Sequence, residues 1–345
     1  MIKWHDFEFT VGMPHMVPGK LSEVELLKVL GACQWDSISS LLGQRSNEIV
    51  NAFEERLYAS FINIELQFKN DQGQDNFDEG AHVFIKNGVS VYAKKFIEGF
   101  SVFSTSAIAE DSVKTISKRE DLLQSDHSWA YLTNAFVTRA AGNSRLKVFE
   151  PQAMKTRDIP AADALPAGIA EHEKVQFNGK IDGFAQAEQH ITLPVRNTDA
   201  IQYKIVPESD LNGASLLYFA RYVAMMNYAE RIFLTERMLP PLTTQLVFAL
   251  STESRRIFYF ANADPNDVVN ILVKGAVIKD DAPVRQSSGK QRPPITFIFE
   301  FTLYRASDNN LMAISCVKKS LQIPGSEKSL LAEAARFTAR ISHGL

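Results

Sequence analysis

Residues 210–237 carry the clearest hydrophobic pattern in the chain. After a turn-forming loop that ends at Gly213, about seven helical turns follow without a proline or a further glycine. Apolar side chains recur at helical spacing and also fill much of the remaining surface, which is typical of a buried helix. Strand-like segments come after this stretch. The pattern therefore predicts a β-sheet that wraps around one long buried helix.

The first half of the chain has a similar order of elements. Residues 4–11 alternate as a strand does, and Ser22 and Glu25 fit a capping box that starts an apolar helix reaching Leu42. A break in this helix near Gly31 is left open. Further strands are predicted at residues 57–68, 81–85, 90–97, 99–105, 129–139 and 146–149.

The second half repeats this order around the helix of residues 210–237. Strand patterns occur at residues 191–206, 242–250, 255–263, 268–278, 295–306 and 310–323, and an amphipathic helix is predicted at 329–342. The repeat is one of pattern and not of residue identity. Residues 151–180 are rich in proline, alanine and glycine with little periodicity, so they are interpreted as a linker.

Two such units in one chain predict an α+β fold, the double hot-dog, in which two antiparallel sheets each wrap round a long central helix. We divide the chain into an N-terminal hot-dog domain (1–150), a linker (151–185) and a C-terminal hot-dog domain (186–345). Ligand sites commonly lie at domain junctions, so the cleft between the halves is the expected active site. Association of two chains into a homodimer is left open.

Composition narrows the class of protein. The chain has 345 residues, 45% of them hydrophobic and 22% charged, as in a soluble globular protein. A formal net charge of −3 predicts no general attraction to nucleic acid or to a membrane surface. No apolar run is long enough to cross a membrane, and the first ten residues are not expected to form a secretory signal, because they lack a basic stretch followed by a hydrophobic one. Cys33 and Cys316 lie far apart and are expected to be free thiols in a reducing cytoplasm.

Common catalytic motifs are missing from the sequence. The glycines of residues 12–20 are wrongly spaced for a phosphate-binding loop, and Leu21 stands where that loop needs Ser or Thr. No Gly-x-Ser-x-Gly elbow is present, and the seven histidines have no metal-ligand spacing. We therefore predict no metal and no cofactor, with the thioesters of coenzyme A and phosphopantetheine serving only as substrates.

The start of the 210–237 stretch resembles the hot-dog thioesterases of the hydroxybenzoyl-CoA type. Their pattern is an aspartate, a glycine-bearing turn and a helix with Tyr-x-x-x-Tyr, which Tyr218 and Tyr222 match. On this alignment Asn212 stands at the family's catalytic aspartate, and an amide cannot act as a base or a nucleophile. Asp210 could act from two residues away, or Asp210 and Asn212 could simply cap the helix.

Nearly the full length of the chain also resembles a narrower family, the double hot-dog acyltransferase/decarboxylases of the leinamycin polyketide pathway type. Short motifs in the same order carry this resemblance. They are Gly-Met-Pro-His at 12–15, Leu-Ser-Glu at 21–23, Leu-Leu-Lys at 26–28, Arg-Leu-Tyr-Ala-Ser-Phe at 56–61, Asp-Leu-Asn-Gly at 210–213, Leu-Tyr-Phe-Ala at 217–220 and Phe-Tyr-Phe-Ala-Asn at 258–262.

This resemblance implies that a methylmalonyl group is taken from acyl-CoA, decarboxylated and delivered as propionyl to an acyl carrier protein. A tyrosine is the implied acyl acceptor, and it matches Tyr58, with Ser60 on the same face of the strand. Tyr58 could equally be a packed core residue. His15 is either the proton donor or a structural cap, and Asn262 is a candidate orienting amide.

The helix that follows Asp210, Asn212 and Gly213 is expected to turn its N-terminus toward the thioester oxygen. Two other functions stay open. One is a hot-dog thioesterase or dehydratase that acts on carrier-bound acyl thioesters with Asp210 as the base. The other is a scaffold that binds acyl groups or a carrier protein without turnover.

Overall fold

The computed structural model describes residues 2–69, 73–139, 146–155, 159, 161–182, 190–279, 284–285, 290–293 and 295–342. Its helices are α1 (Glu23–Leu42), α2 (Asp111–Lys114), α3 (Arg119–Leu123), α4 (Ala167–Asn178), α5 (Pro207–Asp210), α6 (Phe219–Ile232), α7 (Thr244–Phe248) and α8 (Lys328–Ser342). A π-helical turn, Phe233–Arg237, continues α6.

The strands of the described residues are numbered in chain order. They are β1 (Lys3–Thr10), β2 (Met16–Val17), β3 (Lys20–Leu21), β4 (Tyr58–Gln67), β5 (His82–Tyr92), β6 (Phe96–Ser104), β7 (Ser128–Arg139), β8 (Leu146–Val148), β9 (His190–Thr192), β10 (Ile201–Lys204), β11 (Leu250–Tyr259), β12 (Val268–Lys279), β13 (Val284–Arg285), β14 (Lys290–Arg292), β15 (Ile295–Arg305), β16 (Asn310–Leu321) and β17 (Ile323–Pro324).

Twelve strands form one antiparallel sheet that runs through both halves. The order is β1-β5-β6-β7-β4-β11-β16-β15-β12-β10, with β8 on β7 and β9 on β12. The halves meet where β4 pairs with β11, and α1 and α6 lie against each other on the same face of this sheet. One hydrophobic core extends through both halves beneath the two helices. The predicted double hot-dog fold is confirmed.

Helix α1 follows the sequence prediction at both ends and is continuous through Gly31. The Ser22 hydroxyl accepts a hydrogen bond from the Glu25 N–H at 3.4 Å, and Gly43 ends the helix in the left-handed conformation. Gly31 does not break the helix. It makes room for a neighbouring side chain, because a Cβ at this position would lie 2.5 Å from the ring of Phe219. The two central helices approach closely because this position has no side chain.

Helix α6 begins later than the sequence pattern predicts. Asp210 closes the short helix α5, and residues 211–217 form a loop before α6 starts at Phe219. The Asn212 side chain accepts hydrogen bonds from the N–H groups of Ala214 and Leu216, which forms a local turn in place of a helical one. The predicted helix start near Gly213 is therefore wrong, although the buried helix itself is present.

Two other predictions of secondary structure need correction. Residues 242–250 were predicted as a strand, but most of them form α7, because the Thr243 hydroxyl caps that helix by accepting from the Leu246 N–H. Residues 90–97 were predicted as one strand, but they contain the end of β5, a turn at Ala93 and Lys94, which have positive φ, and the start of β6.

The segment predicted as a linker, 151–185, contains α4, which packs on β4 and β7. The domain limits themselves stay a prediction.

A buried ion pair crosses the junction between the halves. Glu23, at the start of α1, pairs with Arg255 of β11, and both side chains are 2% exposed. The Thr252 hydroxyl donates to the same carboxylate at 3.0 Å. Burial raises the pKa of Glu23, but the adjacent Arg255 guanidinium and its hydrogen bonds outweigh burial and hold that pKa below its usual value.

We expect Glu23→Gln to lower the free energy of unfolding by about 3–5 kcal/mol, because it leaves the Arg255 charge buried without a partner. Chemical denaturation at neutral pH measures the change. In the native protein, this contribution is present above the unfolded pKa of about 4.3 and is lost as the pH falls further. The matched control is Glu25→Gln in the same helical turn, where a half-exposed pair with Lys28 contributes at most about 1 kcal/mol. Equal losses in the two variants would contradict this account.

Candidate active site

A small cavity lies at the junction of the halves, where the first turn of α6 meets the end of β11 and the start of β4. Its volume is about 80 Å³. The lining comes from both halves of the chain: Ser60, Phe61, Leu146, Leu217, Phe219, Tyr222, Tyr259, Phe260, Ala261 and Asn262. The sequence predicted a cleft between the halves, and two of its candidate residues, Ser60 and Asn262, line this cavity.

The start of α6 has unused hydrogen-bond donors. Tyr218 precedes the helix and supplies no side-chain cap. Among the described residues, no acceptor takes the N–H groups of Phe219 and Ala220, whereas the Arg221 N–H donates to the Tyr218 carbonyl at 2.8 Å. Free N–H groups and the partial positive charge of a helix N-terminus stabilise a negatively charged oxygen. Phe219 lines the cavity, so the start of α6 lies beside it.

Asn262 fixes the loop that leads into α6. Its side-chain oxygen accepts hydrogen bonds from the N–H groups of Leu217 and Ala263, both at 2.8 Å. Its backbone carbonyl accepts from the guanidinium of Arg305 at 2.7 Å. Asn262 therefore connects the end of β11 to the start of α6 and holds two sides of the cavity together.

Asp210 has a structural position. Its side chain is fully buried and forms an ion pair with Arg221, whose nitrogens lie 2.8 and 2.9 Å from one carboxylate oxygen. The other oxygen accepts from the Val206 N–H at 2.8 Å and from the Tyr203 hydroxyl at 3.1 Å. Asp210 does not line the cavity, and a carboxylate held in these bonds is unsuited to the predicted substrate contact or to the role of base.

The neighbouring loop residues also lie outside the cavity lining. The Asn212 side chain is occupied by the turn described above, and Gly213 is exposed within that turn. Asn212 therefore shapes the approach to α6 and does not contact the cavity itself.

Tyr58 lies next to the cavity. It is two residues before Ser60 on the same face of β4, about 7 Å along the strand, and is half-buried. The Arg56 guanidinium lies 4.9 Å from the centre of its ring. The hydroxyl of Ser60 forms no hydrogen bond with a described residue, so it is available to a ligand in the cavity.

His15 lies at the opposite end of β4 from Tyr58. Its Nδ1 accepts from the Gly12 N–H at 2.9 Å, and its carbonyl accepts from Ser22 at the start of α1. Gln74 connects Leu21, next to Ser22, to Thr252 near the far end of β4. An extended strand of ten residues spans about 33 Å, so the structure does not bring His15 and Tyr58 together.

Two tyrosines of the cavity were not predicted as site residues. The Tyr222 hydroxyl donates to the Ala261 carbonyl at 2.7 Å, and the Tyr259 hydroxyl donates to the Phe219 carbonyl at 3.3 Å. Burial raises the pKa of both hydroxyls. Tyr222 belongs to the Tyr-x-x-x-Tyr motif, so the sequence did contain a signal. For Tyr259, only its place beside the candidate Asn262 hinted at the site.

The equivalent position in the first half is closed. Strands β4 and β11 carry matching bulges, after Phe61 and after Thr252, so these two residues occupy equivalent places. Phe61 packs against Phe219 at the cavity, with ring centres 4.1 Å apart. At the other position Thr252 is bonded to Glu23, which Arg255 neutralises. A buried ion pair therefore fills the second place where a cavity of this kind could form.

The two halves also differ beneath their central helices. Under α1 lies a buried polar network that includes Gln34, Asn87 and Asn134, joined by hydrogen bonds of 3.2 Å. Ser37 and Ser101 complete its bonds to Asn87. Under α6 the sheet presents phenylalanines of β15 to the core. At the equivalent level of α6, the Lys319 ammonium of β16 donates to the Glu230 carboxylate at 2.8 Å, so the second half has a buried ion pair where the first half has neutral amides.

Comparison with known proteins places the fold in the hot-dog class. No family model matches the chain, and no curated protein matches it significantly. It is similar in structure to an acyl-ACP thioesterase from Bacteroides thetaiotaomicron, with a TM-score of 0.51 and 10% identity over 92% of this chain and 97% of that one.

A second similar structure is a protein assigned as an oleoyl thioesterase from Lactobacillus plantarum. The TM-score is 0.52, with 8% identity over 94% of this chain and 98% of the other. At such identities the likeness shows the shared double hot-dog fold. The narrower resemblance to acyltransferase/decarboxylases stays a prediction.

No helix among the described residues is long and apolar enough to cross a membrane. No group of three or more histidine, cysteine, aspartate or glutamate side chains in the described ranges has a metal-binding arrangement. Cys33 and Cys316 are free and buried, and burial raises the pKa of each thiol.

We expect Asp210→Asn to destabilise the protein by about 2–3 kcal/mol, because it removes the fully buried carboxylate that pairs with the partly buried Arg221 guanidinium. The measurement is chemical denaturation, with Glu208→Gln in the same short helix as the control. Glu208 is exposed, so its substitution should change stability by at most about 0.5 kcal/mol. If Asp210→Asn proved as stable as the control, the structural role described for Asp210 would be wrong.

Proposed function

We propose that this protein acts on acyl thioesters, with the thioester carbonyl oxygen at the N-terminus of α6. The observation that carries the proposal is the pair of free N–H groups, of Phe219 and Ala220, beside a cavity shared by the two halves. The two similar structures named above are described as thioesterases, which supports the same class of substrate.

The first reaction we propose is cleavage of the thioester by water. Attack on the carbonyl carbon forms a tetrahedral oxyanion, and the helix N–H groups would stabilise that charge. Loss of one such donor typically lowers the rate about 10²–10³-fold, so two donors account for a large part of a catalytic effect. Ser60, whose hydroxyl forms no hydrogen bond with a described residue, is the lining side chain that would orient the water. Collapse of the oxyanion breaks the C–S bond and expels the thiolate of the carrier arm, which takes up the proton released by the attacking water.

A panel of acyl-CoA and acyl-carrier-protein thioesters tests this proposal by release of free thiol. We expect Ala261→Phe to lower kcat/KM by about 100-fold or more, because the added ring fills the cavity and displaces the bound carbonyl. Ala109→Phe, at an exposed loop position, should keep the activity of the parent. No thiol release from any member of the panel would refute hydrolysis, and full activity in Ala261→Phe would move the reaction away from this cavity.

A second candidate reaction is the acyl transfer with decarboxylation that the sequence resemblance implies. Two observations support it: Asp210 is held in an ion pair and lies outside the cavity lining, and Ser60 lines the cavity two residues after Tyr58 on the same face of β4. Decarboxylation beside a thioester needs no base, because loss of CO2 leaves the electron pair on the α-carbon as an enolate. The same N–H groups would stabilise the enolate oxygen. Tyr58 would take the acyl group from coenzyme A, with the phenol proton going to the departing CoA thiolate. A proton from water would convert the enolate to propionyl, and the carrier-protein thiol would then displace Tyr58 and return a proton to the phenolate.

Incubation with methylmalonyl-CoA and a phosphopantetheinylated acyl carrier protein tests this second reaction. We expect release of CO2 and a propionyl carrier protein, seen by intact mass. Tyr58→Phe should abolish transfer because the phenol oxygen is lost, whereas Tyr228→Phe, at an exposed position on α6, should not. Thiol release without CO2 would leave hydrolysis as the reaction, and unchanged transfer in Tyr58→Phe would exclude that residue as the acceptor.

A further inference from the structure

A second, larger cavity lies on the outer face of the first-half sheet, on the side away from the two central helices. Its volume is about 390 Å³. Strands β5 and β6 form its floor through Ser90 and Glu98. The start of α3 and the segment 161–167 form its sides, and Ile2 and Leu165 give it an apolar part.

Glu98 is a buried carboxylate without a cationic partner. Glu98 is 7% exposed. One oxygen accepts from the Tyr131 hydroxyl at 2.5 Å and the other from the Ser90 hydroxyl at 3.4 Å. No lysine, arginine or histidine of the described ranges forms an ion pair with it. Burial, with a smaller contribution from the charge of Glu120, raises the pKa of Glu98 despite these hydrogen bonds.

The two cationic residues that line this cavity, Lys118 and Arg119, form no ion pair with Glu98. The Arg119 guanidinium lines the cavity but forms a two-point pair with Glu65, at 2.6 and 3.0 Å. Lys118 is exposed to solvent at the rim. Glu120 and Asp163 add negative charge around the opening. The cavity thus combines a buried, uncompensated carboxylate with a surplus of acidic side chains.

A carboxylate as buried as that of Glu98 is destabilised unless it takes up a proton or gains a positive partner. A positive ligand would remove that cost, and the empty space beside Glu98 is large enough for a molecule of several heavy atoms. The hydroxyls of Tyr131 and Ser90 hold the carboxylate in place, which leaves its remaining lone pairs available to a donor. The apolar surface of Ile2 and Leu165 can cover a short hydrocarbon chain.

We propose that this cavity binds a small organic cation, a primary ammonium group that pairs with Glu98 and carries a short aliphatic chain against Ile2 and Leu165. The site is separate from the cavity at α6, and it does not depend on the function proposed there.

Isothermal titration with n-butylamine tests the proposal, with n-butanol and butyrate as the neutral and anionic probes of the same length. We expect saturable binding of one butylammonium per chain, and weaker or no binding of the other two. Equal binding of butanol would show an apolar cavity without charge recognition. Stronger binding of butyrate would assign the site to an anion. Absence of saturable butylamine binding would also overturn the proposal.

Two variants locate the binding. Glu98→Gln should lower the affinity for butylamine about tenfold or more, as expected for a lost charge-assisted hydrogen bond. Glu120→Gln removes the same charge at the exposed rim and should change the affinity much less. Ala164→Trp, at an exposed wall position, should block the cavity without altering the buried carboxylate. Should Glu98→Gln fail to fold, this variant decides, and unchanged butylamine binding in it would overturn the proposal.

Discussion

The pairing of β4 with β11 is the constraint on which the rest of the structure depends. Residues Asn63 to Gln67 pair with Ser254 to Phe258, and the Asn63 side chain adds a hydrogen bond to the Ile257 carbonyl. This ladder makes one sheet from two, so both central helices must share one face of it. The close approach of Phe219 to Gly31 and the cavity between the halves both follow from that geometry.

The same junction explains why the two halves of the molecule are not equivalent. The backbone repeats, as the matched bulges of β4 and β11 show, but the side chains placed on it differ. Aromatic rings at Phe61 and Phe219 leave space beside the start of α6, whereas the charges of Glu23 and Arg255 attract each other and close the space at α1. A duplicated fold therefore presents one cavity of this kind among the described residues.

Charge is also concentrated on the outer face of the junction. Glu65 of β4 is shared by Arg119 and Arg256, and Arg256 also pairs with Glu171 on α4. These contacts connect α3, β4, β11 and α4 where no helix of the inner face reaches. Arg119 forms its two-point contact with Glu65, and the hydrogen-bond partners of Glu98 among the described residues are the hydroxyls of Ser90 and Tyr131.

Local residue patterns by themselves determined the elements and much of their order. The capping box at Ser22, the helix that follows it and the strand that carries Tyr58 and Ser60 all depend on neighbours a few residues away, so they could be predicted. Long-range contacts decided the rest. The Leu217 N–H donates to Asn262, 45 residues later, and α6 starts late. Asp210, the base only in the thioesterase alternative, is buried in an ion pair with Arg221. Periodicity reports which face of an element is apolar, but it does not report which distant polar group will meet that face.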